Sequence, residues 1–514
     1  MWNDTIISDY AQRKTKAMLG GGAKRIEKQH SKGKWTARER LDLLFDPGTF
    51  QELEIMRETR STDFGMAEKA SPGDGVVIGY GKVNGRTVCA SSQDFTVCGG
   101  AGGEEYALKI CHILQLAIDM KAPFVNFNDS GGARIEEGIC SLSAYSRLFQ
   151  LNTLASGYIP QIAVIMGPCA GGASYSPALC DFILMVEKTS QMYITGPKVV
   201  QSVTGENVDA ETLGGSDVHM VKSGVAHFSY QNERECIEGL KKLISYIPQN
   251  CNSKPDDIQA LKSKDGKQLY ELVPDNQKRV YDMHAVIENL VDKNSFFEVH
   301  SRFAPNVIVG FARIDGKSTG IVANQPRFLA GSLDCDAADK LSRFVRFCDC
   351  FNIPIVTFVD VPAFLPGTTQ ENSGIIRHGA KILYAFSEAT VPKVCIILRK
   401  AFGGAFCAMN SKSMGADIVF AWPIAQIAVM GAEGAVNIIF RKQIENSENP
   451  QKEKDDLVLK YEEKFMNPYF AAARGYVDEV ILPEETRERI ISALDALKNK
   501  EVHTPQKKHG NIPL

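Results

Sequence analysis

The sequence predicts an α/β protein built from two similar domains in tandem, and three observations carry that prediction. Short β-rich segments alternate with helical patterns, strands end at glycine-rich turns, and the layout of the first half recurs in the second. At roughly 100–250 residues per domain, a chain of 514 residues has room for more than one core. Its 44% hydrophobic and 23% charged content matches soluble globular proteins and sets aside disordered, collagen-like and coiled-coil architectures. With 58 basic against 61 acidic residues the net charge is −3, so no chain-wide field attracts a polyanion and nucleic acid is not expected as a partner.

In chain order, the first sixty or so residues are rich in Lys, Arg and Glu. AQRKTKAMLGGGAKRIEKQHSKGKWTARERLDLLF reads as a helix, a glycine break and a second helix, a solvated arm or docking element. From about Gly73 the texture changes to GVVIGYGKV and RTVCASS, followed by the helical EEYALKICHILQLAIDM. A buried-type strand, Pro123 to Phe127, stops at Asp129-Ser130-Gly131-Gly132; after another helix, Gln161 to Met166 runs into GPCAGGASYSPAL. Polar, proline-containing sequence at 249–259 reads as a linker, which sets the expected domains at 1–255 and 256–514. Ser447 to Asp456 reads as a charged loop, and ERIISALDALKNK as a short amphipathic helix.

The second half answers the first. VIVGFARIDGKSTGIVANQ parallels GVVIGYGKVNGRTVCASSQ, and VTFVD ends at Asp360 as the earlier strand ended at Asp129. Pro123 to Pro354 and Asp129 to Asp360 are both 231 residues, while Gly171 to Gly403 is 232. Offsets this close indicate duplication of a domain-sized unit with a glycine pair after a strand in each copy.

A glycine pair between a strand and a helix leaves main-chain N–H groups free at the helix start, where a substrate oxyanion can approach without side-chain hindrance. One well-placed donor of this kind is worth about 3 kcal/mol in a transition state. A single such loop is as often only a tight turn; its repetition at the same stage of both halves favours two oxyanion sites. Other motifs fail. GGAGGE and GGGAKR lack the GK[ST] ending of a P-loop and the setting of a dinucleotide fingerprint, and no GxSxG elbow is present. His378, in GIIRHGAKIL, reads as a helix-surface histidine. The thirteen cysteines are scattered with no CxxC pair, so free thiols and no metal centre are expected. The opening MWNDTIISDYAQRKTK lacks the apolar region of a signal peptide, and the uncharged run Leu148 to Cys180 is broken by Pro160, Pro168 and Pro177. A cytoplasmic protein with no membrane insertion is expected.

KQHSKGKWTARERLDLLFD, SQDFTVCGGAGGE, NDSGGARIEEG, IMGPCAGGASYSPAL and TSQMYITGPKVVQSVTGE resemble the first half of the biotin-dependent acyl-CoA carboxyltransferases. NQPRFLAGSLDCDAADKLSRFVRFCDCFNIPIVTFVDVPAFLPG, GIIRHGAKILYAFSEATVPK and RKAFGGAFCAMNSKSMGAD resemble the second, and the likeness extends to the closing KKHGNIPL. The branch it most resembles holds propionyl-CoA carboxylase β subunits and methylmalonyl-CoA decarboxylase α subunits. The resemblance implies two crotonase-like domains of stacked β-sheets and flanking helices, with the acyl-CoA thioester on the first and carboxybiotin on the second. It further implies biotin on a separate carrier protein, a biotin carboxylase or membrane decarboxylase subunits as partners, and a homohexamer formed as a dimer of trimers.

Carried over residue by residue, Gly171 and Gly172 match the pair that holds the thioester carbonyl oxygen. Gly404 and Ala405 match the pair that holds the biotin ureido oxygen, with Gly403 and Phe406 beside them. Ser130, Gly131, Gly132, Ala133 and Arg134 fall on the substrate side. Arg134 has two readings, a contact to a CoA phosphate or an ion pair with Glu136, Glu137 or another nearby acid; Asp129 and Ser130 read as shaping the turn. Cys407 departs from the aspartate typical of propionyl-CoA carboxylases at a position near the acyl chain, and DFTVCGGAGG departs where relatives often show glutamate, glycine or serine. A biotin-independent crotonase-type hydratase or hydrolase would need a carboxylate by the first pair, and GPCAGGASYS offers none.

Overall fold

The computed structural model describes residues 3–261 and 263–514; Met1 and Trp2 of the opening string, and Lys262, lie outside the described residues. The chain divides into two compact units, Met1–Lys254 and Pro255–Leu514.

The first unit carries β1 (Gln51–Leu53), β2 (Val76–Val83), β3 (Arg86–Gln93), β4 (Phe124–Ser130), β5 (Gln161–Ala170), β6 (Phe182–Val186), β7 (Gln191–Tyr193) and β8 (Phe228–Tyr230). Their order is β1-β2-β3-β4-β5-β6-β8, with β7 paired to β5. The second unit repeats it with β9 (Phe297–Val299), β10 (Val307–Ile314), β11 (Lys317–Asn324), β12 (Ile355–Val361), β13 (Lys393–Phe402), β14 (Ile418–Ala421), β15 (Gln426–Ala428) and β16 (Glu479–Val480). There the order is β9-β10-β11-β12-β13-β14-β16, with β15 paired to β13. In both, the first three strands are antiparallel and the rest parallel.

Local chemistry explains the match. The β2–β3 and β10–β11 hairpins close on Asn84-Gly85 and Asp315-Gly316, all at positive φ, the combination a type I′ turn requires. β4 and β12 are buried at every position, as strands covered on both faces must be. The first core packs Tyr106, Ile110 and Leu114 of the helix Glu104–Met120 against sheet residues such as Phe124 and Ile165. The second packs Ile287 and Leu290 with Ile308, Phe358 and Trp422. Even a buried lysine is duplicated. Lys109 donates to the carbonyls of Gly73 and Val76 at 2.8 and 2.6 Å, and Lys340, 231 residues later, to those of His300, Phe303 and Val307 at 2.9, 2.8 and 2.8 Å.

Two segments correct the sequence reading. The basic arm forms three helices, Asp4–Met18, Ala23–His30 and Ala37–Leu44, the last begun by a capping box of Thr36 and Glu39. Only its first part is solvated, for Gln29, Lys34 and Arg40 are buried. The charged stretch 447–456 is not a loop. Asn449 caps a helix, Pro450–Phe465, whose only buried residue is Leu457, so apolar periodicity gave no sign of it.

Candidate active site

β5 ends at Ala170 (φ −116°, ψ 149°) and passes into the 3₁₀ turn Gly171–Ser174. β13 ends at Phe402 (φ −115°, ψ 145°) and passes into the helix Gly403–Ala408. The first turn residues, Gly171 (φ +61°) and Gly403 (φ +56°), adopt the left-handed conformation that glycine enters without penalty. Neither helix start carries a side-chain cap, and the first amides of a helix have no acceptor within it. A side-chain carbon built at Gly172 would meet nothing within 4 Å, and one at Gly404 only ring carbons of Phe364 at 3.9 Å. Both turns therefore present main-chain donors beside open space, which is what binding an oxyanion requires.

The surroundings of the first turn come from two further loops. Ser130 is fully buried at the end of β4, its hydroxyl donating to the Gly100 carbonyl at 2.6 Å. The Gly131 amide donates to the Gly99 carbonyl at 3.2 Å and the Gly132 amide to Ser130 Oγ at 3.1 Å. Ala133 bridges to Gly102. From within β5, the Cys169 thiol donates to the Ala173 carbonyl at 3.3 Å, and burial pushes that thiol up to about 12. Cys169 thus acts as a brace for the turn and not as a nucleophile.

Arg134 corrects the phosphate reading in favour of the ion pair. Its guanidinium is 1% exposed and both terminal nitrogens are engaged within the chain, Nη1 on Asp74 at 2.9 Å and Glu137 at 2.7 Å, Nη2 on the Ala101 carbonyl at 3.1 Å. It fastens the Gly131–Gly132 loop to its neighbours from behind. A different group of cations stands in the open. Arg25, Lys28 and Lys32 are exposed along one side of the helix Ala23–His30 and its extension, and with Gln29, Phe95, Thr96, Cys98 and Gly99 they line a cleft of about 370 Å³. The spacing of these three in AKRIEKQHSK is helical, a signal available in the sequence but submerged in an arm read as uniformly charged.

Beneath both turns lie buried charges that sequence reasoning missed. Asp129 accepts from Lys34 Nζ at 2.7 Å, Arg40 Nη2 at 3.0 Å and Gln29 Nε2 at 3.1 Å, and Arg40 also binds Glu233 at 2.7 Å. Burial lowers the Lys34 ammonium from its ordinary value, and Asp129 only partly offsets this. Asp360 accepts from Arg399 Nε at 3.1 Å and from the Lys400 amide at 3.1 Å; burial raises its carboxyl despite Arg399. Around the second turn, Phe364 lies against Gly404 and Gly379, Ala405 is fully buried, and Phe406 is half-buried. Cys407 is exposed one turn along. His378 lies in the helix Ile375–Glu388 with Nδ1 2.9 Å from Asp339, in keeping with a satisfied surface histidine. Among the described residues, no cluster of three or more His, Cys, Asp or Glu is placed to hold a metal ion, and no helix is long and apolar enough to cross a membrane.

Duplicated layers that each end a strand on an uncapped glycine turn are the frame of the crotonase-type carboxyltransferases, and comparison with known proteins agrees. A model of the carboxyl transferase domain matches residues 28–512. The chain is 52% identical over 510 residues to the carboxyltransferase subunit of propionyl-CoA carboxylase from Haloferax mediterranei, covering 99% of each. It is 54% identical over 510 residues to methylmalonyl-CoA decarboxylase subunit alpha from Propionigenium modestum, again covering 99% of each. A solved hexamer of transcarboxylase 12S, with methylmalonyl-coenzyme A and methylmalonic acid bound, superposes with a TM-score of 0.97 at 50% identity, over 99% of this chain and 98% of that one. The chain belongs to the carboxyl transferase domain family, and it is a carboxyltransferase of the crotonase fold.

Proposed function

We propose that this carboxyltransferase moves a carboxyl group between carboxybiotin, carried on a separate protein, and the α carbon of a short-chain acyl-CoA. The observation that carries the proposal is the repeated turn, with near-identical entry torsions, no side-chain cap and open space at the second glycine in both halves. In this reading Gly171 and Gly172 hold the thioester carbonyl oxygen as negative charge develops on it, a task for which preorganised donors are worth about 3 kcal/mol apiece. Gly404 and Ala405 hold the ureido oxygen of biotin, flanked by Gly403 and Phe406. The second turn offers main-chain N–H donors beside the Phe364 ring, a combination suited to an apolar, neutral ring with one strong acceptor. Carboxybiotin, when bound, supplies the CO₂ and the base for the α-proton. The chain itself then needs no carboxylate or histidine at either turn, and GGASYS and GGAFCA contain none.

The cleft of Arg25, Lys28 and Lys32 supports the acyl-CoA assignment, because the nucleotide end of coenzyme A carries several phosphate charges. Gly99 belongs to that cleft and receives the amide of Gly131, so the cleft leads to the loop beside the first turn. Ser130 to Arg134 form that wall through their backbone, and Cys407 faces the acyl chain when a second copy completes the site. A homohexamer, supported by the hexamer of the transcarboxylase neighbour, and a cytoplasmic location belong to the same proposal. The partners are a biotin carrier protein and a biotin carboxylase.

The test is direct. Purified chain, methylmalonyl-CoA and free biotin should give decarboxylation of the thioester, followed by chromatography of the CoA products. Absence of turnover with both malonyl-CoA and methylmalonyl-CoA, together with absence of CoA binding, overturns the reading. A second reading, the alpha subunit of a sodium-coupled methylmalonyl-CoA decarboxylase, is supported by relatives of 54% identity. Co-purification with a polytopic membrane subunit would select it; co-purification with an ATP-dependent biotin carboxylase would select the first.

A further inference from the structure

Both halves bend their long central strand at one place, and a buried aspartate of the neighbouring strand faces the bend. Along β4 and β5, Asn128 pairs with Ile165 and the next pair is Ser130 with Cys169, so Asp129 alone faces Met166, Gly167 and Pro168. Along β12 and β13, Val359 pairs with Ile397 and Val361 with Ala401, so Asp360 alone faces Leu398, Arg399 and Lys400. Before the bend β5 pairs with β6 and after it with β7; β13 likewise changes from β14 to β15. Gly171 and Gly403 follow three residues after Pro168 and Lys400.

The two carboxylates are neutralised from different parts of the chain. Asp360 takes Arg399, a residue of the bend itself, and also the bend's Lys400 amide. The residue 232 positions before Arg399 is Gly167, which has no side chain to offer. A carbon built there would stand 2.0 Å from Asp129 Oδ1 and 2.4 Å from Lys34 Nζ, so the space is taken by a lysine reaching in from the arm. Burying a charge pair brings little net stability compared with apolar residues. A buried aspartate at the same place in both halves, neutralised by Lys34 and Arg40 in one and by Arg399 in the other, therefore calls for a reason other than stability. Irregularities of this kind re-aim strands next to active sites. We propose that Asp129 and Asp360 are positioning residues, each fixing the bend so that the glycine turn beyond it presents its amides to the developing oxyanion. The proposal rests on the reading of the turns given above.

Asp360 gives the decisive comparison, because Asp360→Asn keeps an oxygen for the Lys400 amide while Asp360→Ala does not, and both lose the pairing with Arg399. In the methylmalonyl-CoA and free biotin assay, Asp360→Asn should keep kcat within about fivefold of the parent. Asp360→Ala should lose about 100-fold, the scale of one lost oxyanion donor, with KM for the thioester unchanged and a similar fall in Tm for both. Equal kcat for the two variants overturns the proposal. If Asp360→Ala does not fold, Asp360→Val replaces it: it fills the space of the carboxylate but accepts nothing from the Lys400 amide, so kcat should fall about 100-fold, and a kcat equal to that of Asp360→Asn overturns the idea. Asp129→Asn should lower kcat about tenfold at constant KM; a lowered Tm with kcat intact removes the role from the first half. Gly172→Val separates the two levels of inference. It leaves both bends untouched, so full activity in that variant refutes the reading of the turns, whereas an inactive Gly172→Val beside a fully active Asp360→Ala refutes only the positioning role.

Discussion

Gly172→Val should separate stability from turnover more cleanly than any other change in this chain. Gly172 lies outside the left-handed region, unlike its neighbour Gly171, and no atom stands within 4 Å of the carbon that a side chain would add. The folded state thus accommodates valine without overlap, and the lower entropy of the unfolded chain compensates for the stiffer residue, leaving the net change near zero, within about 1 kcal/mol. In a unit of this size that is a shift of roughly 2–4 °C in Tm. The effect on chemistry is far larger. An isopropyl group beside the amide fills the space a carbonyl oxygen must enter, and loss of one such donor costs about 2.7–4 kcal/mol, on the order of 100- to 1000-fold in kcat. Gly171→Ala gives the opposite pattern. At φ +61° an alanine is strained by about 1–2 kcal/mol, yet its methyl group approaches only the Ile194 carbonyl, at 3.7 Å. Scanning calorimetry and the free-biotin decarboxylation assay on both variants settle the matter: a Gly172→Val protein with parental kcat would refute the assignment of the first turn.

Three further outcomes follow from the same geometry. Lys28→Glu combined with Lys32→Glu leaves one cation of three in the cleft, and KM for the thioester should rise on the order of tenfold at low salt, less as ionic strength grows; both side chains are exposed, so Tm should hold, and an unchanged KM would remove the cleft from the substrate path. Burial pushes the Asp74 carboxyl up to about 6 from 3.8, against the pull of Arg134, so the stability carried by its proton is complete below pH 3.8 and is lost as pH rises through about 6. That loss amounts to at most about 3 kcal/mol, and urea titrations should show Asp74→Asn gaining on the parent between about pH 4 and pH 6.5; a constant difference refutes it. Cys407→Asp places a carboxylate at an exposed position next to the second turn and should lower kcat/KM for a butyryl or longer thioester by more than for a propionyl one, at about 1 kcal/mol per methylene of discrimination; an unchanged ratio would move the acyl chain elsewhere.

How legible these features were depended on sequence distance. The duplicated frame could be read because strand ends, Asn84-Gly85 and Asp315-Gly316 turns and glycine pairs are local signals that recur at a fixed offset. The glycine turns were legible for the same reason, since an oxyanion site made of main-chain donors is written in three or four consecutive residues. Arg134 was ambiguous because one partner, Glu137, is three residues away and the other, Asp74, is sixty residues upstream. Lys34 and Arg40 were hidden altogether: their common partner Asp129 is 95 and 89 residues further on, and within the arm they look like two more solvated charges. Composition counts charges without saying which are buried, and in this chain Lys34, Arg40 and Arg399 are buried against aspartates at the strand ends.

A consequence concerns where selectivity can reside. On the proposed reading, backbone donors give the first turn a hold on the carbonyl oxygen but no means of telling one thioester from another, because every acyl-CoA presents the same carbonyl. Discrimination must then come from side chains around the turns. In the first half the candidates are the exposed cations of the Ala23–His30 helix, which on the proposed reading meet charge at the far end of the substrate. In the second they are Phe364, which closes on Gly404, and the exposed Cys407. The glycine turns can then stay fixed while specificity drifts at positions that bear no load in either core, and on the proposed reading a change of acyl preference in this chain is to be sought at Cys407 before Gly172.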